Sequence, residues 1–251
     1  MSEPAQRPRP ISRIAEQCRV LSENLLHNKT RLEACICSSD GKKMSLHAVP
    51  ILEKVAEETT MGPSPTFSKL HVYKAIALLG TKSLGRNALS EELGIGPGAI
   101  RTLIAKLKSA NIIKVESSGC RLTKKGQTIS QEMVKRIPAS KAVNAERMSF
   151  GKFDHAVMVK NASAMIRSPI EQRDAAIIQG AKGATTVMFK SGKFALPGDT
   201  ADCEKDFPDK VWKTLRQELK PQNGDVIIVA SGESARKAEY GALAAAWTLI
   251  S

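Results

Sequence analysis

Between residues 97 and 136 stand nine basic side chains (Arg101, Lys106, Lys108, Lys114, Arg121, Lys124, Lys125, Lys135 and Arg136) against two acidic ones, Glu116 and Glu132. Hydroxyls and a glycine are interleaved with them: Gly98, Thr102, Ser117 and Ser118. This is the chemistry of a polyanion site. Ammonium and guanidinium groups neutralise phosphate, hydroxyls hydrogen-bond it, and an arginine or a short polar side chain can read a base edge in the major groove of a duplex. Spacing divides the set in two. Arg101, Thr102 and Lys106 lie on the polar side of a run whose apolar residues Ile100, Leu103, Ile104 and Leu107 recur at helical intervals, so they are assigned to the groove, with Gly98 at the start of that helix. Ser117, Ser118, Arg121, Lys124 and Lys125 gather about a tight turn and are assigned to phosphate. A solvated basic surface without a partner is the competing reading.

Other chemistry is poorly equipped. Cys35 and Cys37 form a C-x-C pair with His27 and His47 nearby, but the second pair of a four-ligand site is missing, so no metal and no cofactor are expected. His155 has no evident serine or cysteine partner and no catalytic group is assigned. SGES (231–234) follows a strand and opens a helix, where helix capping competes with anion binding. Arg167, Glu171, Arg173 and Asp174 crowd the start of one helix and could line a small-molecule effector pocket with Thr185 and Thr186; surface ion pairs and strand hydroxyls are the alternative.

The elements that must carry these groups follow from periodicity. Residues 1–10 read as a disordered tail, and Ile11, Ile14, Cys18, Leu21, Leu25 and Leu32 as a narrow helical seam that could serve a dimer contact. A short helix is predicted over 47–60, started by Pro50, and a break at GPSP (62–65). A helix ending at Gly80 as a left-handed stop, a short helix over 85–94, a glycine-bearing turn, and the helix from Pro97 give a helix-turn-helix. Ile113 and Val115 alternate with Lys114 and Glu116 as a strand, Ser117 to Gly119 turn, CRLT returns, and a closing helix runs to Pro138: a two-stranded wing. After a polar linker (139–150) come strand 155–160, helix 170–181, a hairpin over 185–198, helix 205–220, the apolar strand 224–232 and a final helix rich in small residues. The expected fold class is α+β. It comprises an N-terminal tail and helical extension (1–62), a winged helix (63–138) and a C-terminal two-layer α/β sandwich (151–251) with a ferredoxin-like strand and helix order, each domain with its own core.

Composition agrees with a globular chain: 251 residues, 42% apolar, 25% charged and 4% aromatic. No apolar stretch reaches membrane-helix length and no secretion signal opens the chain, so a cytoplasmic protein with no membrane partner is expected. Five scattered cysteines suit a reducing compartment. The formal charge is +13, and residues 1–148 carry 24 basic against 13 acidic groups while 149–251 carry 14 against 12, so the excess belongs to the first half.

The segment LGRNALSEELGIGPGAIRTLIAKLKSANIIKVESSGCRLTKKG (84–126) resembles winged-helix transcription regulators of archaea. The second half, with its GATT and YGALAAA segments, is similar to a domain of unknown function fused to that winged helix in archaeal proteins. Together they cover roughly residues 65–250, and residues 1–62 have no counterpart. The resemblance implies a DNA-binding regulator. The expected partners are duplex DNA on a partly palindromic site, a second copy forming a homodimer, and a small-molecule effector sensed by the second domain. An RNA- or ribosome-associated protein, or an enzyme built on the second domain, are the alternatives.

Overall fold

Short polar side chains start several of the described helices, and extended glycines, Gly85 and Gly96, precede two more. In the computed structural model, which describes residues 48–57, 66–198 and 202–251, the Thr123, Ser168, Asp209 and Ser234 side chains each accept a backbone N–H of the helix they precede. Pro97 stands in the first turn of its helix, where its missing N–H is no loss. The first half runs α1 (Ala48–Glu57), α2 (Lys69–Thr81), α3 (Arg86–Leu93), α4 (Pro97–Ser109), the hairpin β1 (Ile113–Glu116) and β2 (Gly119–Leu122), then α5 (Lys124–Arg136). That is the element order expected for this part of the chain. Gly80 lies inside α2 rather than ending it, and the left-handed stop is Gly94, at φ 68°, after α3.

The second half supplies β3 (Ala139–Val143), β4 (Phe153–Val159), α6 (Pro169–Ile178), β5 (Gly183–Lys190), β6 (Lys193–Ala195), α7 (Cys203–Asp206), α8 (Lys210–Leu219), β7 (Val226–Gly232) and α9 (Ala235–Trp247). The strands form one antiparallel sheet in the order β3-β4-β7-β5-β6. Three expectations are corrected here. The segment expected as a linker contains β3, which pairs with β4 from Ala139↔Met158 to Val143↔Asp154; its polar, exposed residues are those of an edge strand. The ferredoxin-like order fails as well, because the last strand, β7, fills the gap between β4 and β5 while the hairpin's return strand, β6, stays at the edge. The sandwich has three layers, not two. Val226, Ile228 and Ala230 of β7 join the core that contains α9 and Ala176 of α6, whereas Ile227 and Val229 join Val211, Trp212, Leu215 and Leu219 of α8. A strand covered on both faces must be apolar throughout, which is why VIIVASG shows no alternation.

Nor does each half keep a separate core. One continuous cluster runs from Ala48 and Leu52 through Leu70, Ile76, Leu103, Leu107 and Ile137 to Val157, Ile228, Leu243 and Trp247. Helix α9 joins the two: Ala238 and every residue from Tyr240 to Trp247 are buried. Its small residues allow close approach. A Cβ on Gly241 would lie 2.6 Å from the Ala181 Cβ and 3.4 Å from the Ala176 carbonyl oxygen. Alanine is the better helix former by about 1 kcal/mol, yet Gly241→Ala should destabilise the protein by about 1–3 kcal/mol through overpacking. Urea unfolding checks this: a lowered midpoint is expected, and a raised one would show that the loop around Ala181 yields freely.

Candidate nucleic-acid interface

Helix α4 buries Ile100, Leu103 and Leu107 and turns Gly98, Arg101, Thr102, Ala105 and Lys108 to solvent. The Thr102 hydroxyl donates to the Gly98 carbonyl at 3.3 Å, which settles its rotamer against the first turn. The hairpin is pinned beside the helices by the segment before α3. Cys120 N–H donates to the Leu84 carbonyl at 2.8 Å and Leu84 N–H returns a bond to Cys120 at 3.3 Å. Ser117 and Ser118 stand exposed at the tip. Between these parts lies a groove of about 310 Å³, floored by Ile104 of α4 and walled by Gly85, Arg86 and Asn87 at the start of α3 and by Val115 to Gly119 of the hairpin.

Of the side chains assigned to the groove and to phosphate, Arg101, Thr102, Ser117, Ser118, Arg121 and Lys124 are exposed, as is Gly98. Lys125 is exposed too, but its ammonium, like that of the half-buried Lys106, is engaged within the chain. Lys106 Nζ donates to the Ala56 carbonyl at 3.3 Å and sits 5.4 Å from the centre of the Phe67 ring. Lys125 Nζ donates to the Ala110 carbonyl at 2.9 Å, closing the carboxyl end of α4. Glu116 stands within the basic hairpin and pairs with Lys114 at 2.5 Å and Arg121 at 3.7 Å; Lys114, then Arg121, hold its carboxyl below the usual range. Arg86 and Asn87 were missed in the sequence, where they read only as the opening of a short helix.

The second half grips this assembly from behind. Arg236 of α9 donates to the Glu91 carbonyl at 3.1 Å, and its guanidinium lies so close to Gly94 that a Cβ there would be 2.3 Å from Cζ. Tyr240 donates its buried hydroxyl to the Leu93 carbonyl at 3.1 Å. A cation and a hydroxyl thus satisfy the open carboxyl end of α3, immediately before the turn into α4. Around Tyr240, the His71 ring lies at 4.6 Å between centroids and Lys74 at 5.3 Å, and Lys74 pairs with Glu239 at 2.6 Å. Further along, Trp247 Nε1 donates to Glu53 of α1 at 3.0 Å. The exposed face of α4 is left uncovered by these contacts.

The effector residues do not converge. Thr185 and Thr186 are neighbours on β5 and therefore point to opposite faces of the sheet; Thr186 is buried with its hydroxyl unpartnered. Arg173 and Asp174 form an exposed ion pair at 3.8 Å, and Arg167 and Glu171 are exposed. The second half's own concavity, about 230 Å³, lies elsewhere, beside Asn144, Lys152, Asp154, His155 and Ala235. His155 does have a serine partner, Ser140, whose Oγ is 2.8 Å from Nε2, brought across by the unforeseen strand β3; no described carboxylate hydrogen-bonds its other ring nitrogen. Burial pushes the His155 imidazole pKa down. At SGES, Ser234 caps α9 and Glu233 is ion-paired with Lys182 at 3.5 Å, so a carboxylate already sits at that helix start. Among the described residues no group of three metal-ligating side chains occurs; Cys35, Cys37, His27 and His47 lie outside them, as does the seam from Ile11 to Leu32. No described helix is long and apolar enough to cross a membrane.

Two family models match separate parts of the chain. Residues 73–128, from α2 into α5, match the family described as PH0730-like, N-terminal domain, and residues 150–249 match a domain of unknown function, DUF4443. Hypothetical protein PH0730 from Pyrococcus horikoshii OT3 is a solved structure to which the chain is similar, at 30% identity and a TM-score of 0.59, over 71% of this chain and 90% of that one. Comparison with curated proteins finds no match.

The clasp behind the interface carries a pH dependence. His71 Nδ1 accepts the Ser68 backbone N–H at 3.1 Å, which requires the unprotonated nitrogen. Burial, then the positive charges of Lys74 and Arg236, lower the His71 pKa from 6.5 to about 4. A histidine whose folded value lies below its unfolded one contributes fully above pH 6.5, and that contribution is lost as pH falls from 6.5 towards 4. The urea midpoint should therefore drop between pH 7 and pH 5, and His71→Gln, which can still accept the Ser68 N–H, should flatten that drop. An equal drop in the variant would assign the effect to other groups.

Proposed function

The chain belongs to the PH0730-like family, and from that footing we propose that residues 66–137 form a winged helix-turn-helix that binds duplex DNA in a transcription regulator. One observation carries the reading: α4 exposes Arg101 and Thr102, the hairpin exposes Ser117, Ser118 and Arg121, and a groove lined by Arg86, Asn87, Ile104 and the hairpin turn lies between α3, α4 and the hairpin. A helix fits the major groove of a duplex, where donors and acceptors distinguish the base pairs. Arg101 and Thr102 are the readers. The phosphate backbone is taken by Arg86 and Asn87 at the start of α3, by Ser117 and Ser118 at the hairpin turn across the groove, and by the exposed Arg121 and Lys124 just beyond it. Arg236 and Tyr240 of the carboxyl-terminal half hold the turn that sets the direction of α4.

Glu116 tempers the wing, since a phosphate meeting Lys114 or Arg121 must first displace its carboxylate. Fluorescence anisotropy with a labelled duplex, repeated across a salt series, tests the assignment. Lys124→Ala and Arg86→Ala should weaken every duplex alike and each flatten the salt slope by about one unit. Arg101→Ala should instead cost about 1–3 kcal/mol on a preferred site and relax preference there. Glu116→Gln is expected to strengthen binding and steepen the slope. Unchanged slopes in both alanine variants would remove the groove from the interface, and a folded RNA outcompeting duplex DNA would move the reading to RNA.

A further inference from the structure

Helix α6 turns its three isoleucines away from the core and packs inward through Ala176 and a glutamine. Its inner face buries Gln172, 1% exposed, whose amide donates to the Thr248 hydroxyl at 2.8 Å while its carbonyl oxygen has no partner. Its outer face carries Ile170, Ile177 and Ile178 at 58%, 42% and 80% exposure. Single exposed aliphatics are ordinary, but three at positions i, i+7 and i+8 of one short helix form a stripe, and Met165, 39% exposed, precedes it. Arg173 and Asp174 flank the line from Ile170 to Ile177 on opposite sides, halfway along it.

We propose that this face binds a second copy of the chain, α6 against α6, around a two-fold axis running along the helices. The charges choose the partner and the orientation. In that arrangement Ile170 and Ile177 each meet their own copies, and the Arg173 side of one helix meets the Asp174 side of the other, forming two ion pairs about one apolar seam. An antiparallel arrangement would set Arg173 against Arg173 and Asp174 against Asp174. Within one copy the two charges meet each other only at 3.8 Å, and a plain apolar ligand or a lipid surface would add no further partner to either. The surface belongs to the carboxyl-terminal half alone and does not depend on the nucleic-acid reading.

Sedimentation equilibrium of the full-length chain tests the proposal. The wild type should be a reversible dimer. Ile170→Glu places an acidic residue in the first turn, which the helix tolerates, but puts like charges in the seam, and should raise the dissociation constant roughly a hundredfold or more. Arg173→Asp should weaken association by roughly tenfold, and the double exchange Arg173→Asp with Asp174→Arg should restore it towards the wild-type value. Circular dichroism of each exposed-site variant should match the wild type. A wild-type monomer overturns the proposal; so does a dimer indifferent to Ile170→Glu, as one formed through the amino-terminal seam would be, or a double exchange no tighter than the single one.

Discussion

Everything in this molecule depends on how α9 is held between its two halves. On one side its alanines and Gly241 lie against the sheet and α6; on the other, Arg236 and Tyr240 close the carbonyls of Glu91 and Leu93. The Glu91 carbonyl also accepts the Gly94 N–H at 3.2 Å, but the Leu93 carbonyl is met in the interior by the Tyr240 hydroxyl. A buried carbonyl without a donor costs about 1–3 kcal/mol, and here that donor comes from a segment well over a hundred residues later in the chain. The turn preceding α4 is therefore placed by tertiary contacts as much as by its own glycines.

The basic face is smaller than its lysine and arginine count. Lys106 and Lys125 are spent on carbonyls of α1 and the end of α4, and Glu116 engages Lys114 and Arg121. Charge composition counts all of them alike. Only the direction of each side chain shows which ammonium groups are already engaged within the chain, and it also brings Arg86 and Asn87, which no helical periodicity singled out, to the opposite wall of the groove.

Much of the architecture was legible in the residues. Apolar spacing located α4, Pro97 marked a helix start, and the unbroken apolar run of β7 announced a strand, though not that helices cover both of its faces. What escaped was whatever depends on pairing. β3 is an edge strand with one side in water, so ASKAV carries too little apolar signal to stand apart from a linker. The order β3-β4-β7-β5-β6 is decided by which strand fills a gap, and adjacent threonines cannot be assigned to a pocket until the sheet's faces are known. Ser140 and His155 meet only because that edge strand exists.

The shared core also bears on how such a chain can be assembled over generations. Helices α1 to α5, parted from α9, would leave the Tyr73 ring without Trp247 and the Leu93 carbonyl without the Tyr240 hydroxyl. The first half cannot be shuffled onto a new companion like a bead on a string. Any replacement would have to bring its own helix of small residues with an arginine and a tyrosine one turn apart, so the two regions travel as a single heritable block.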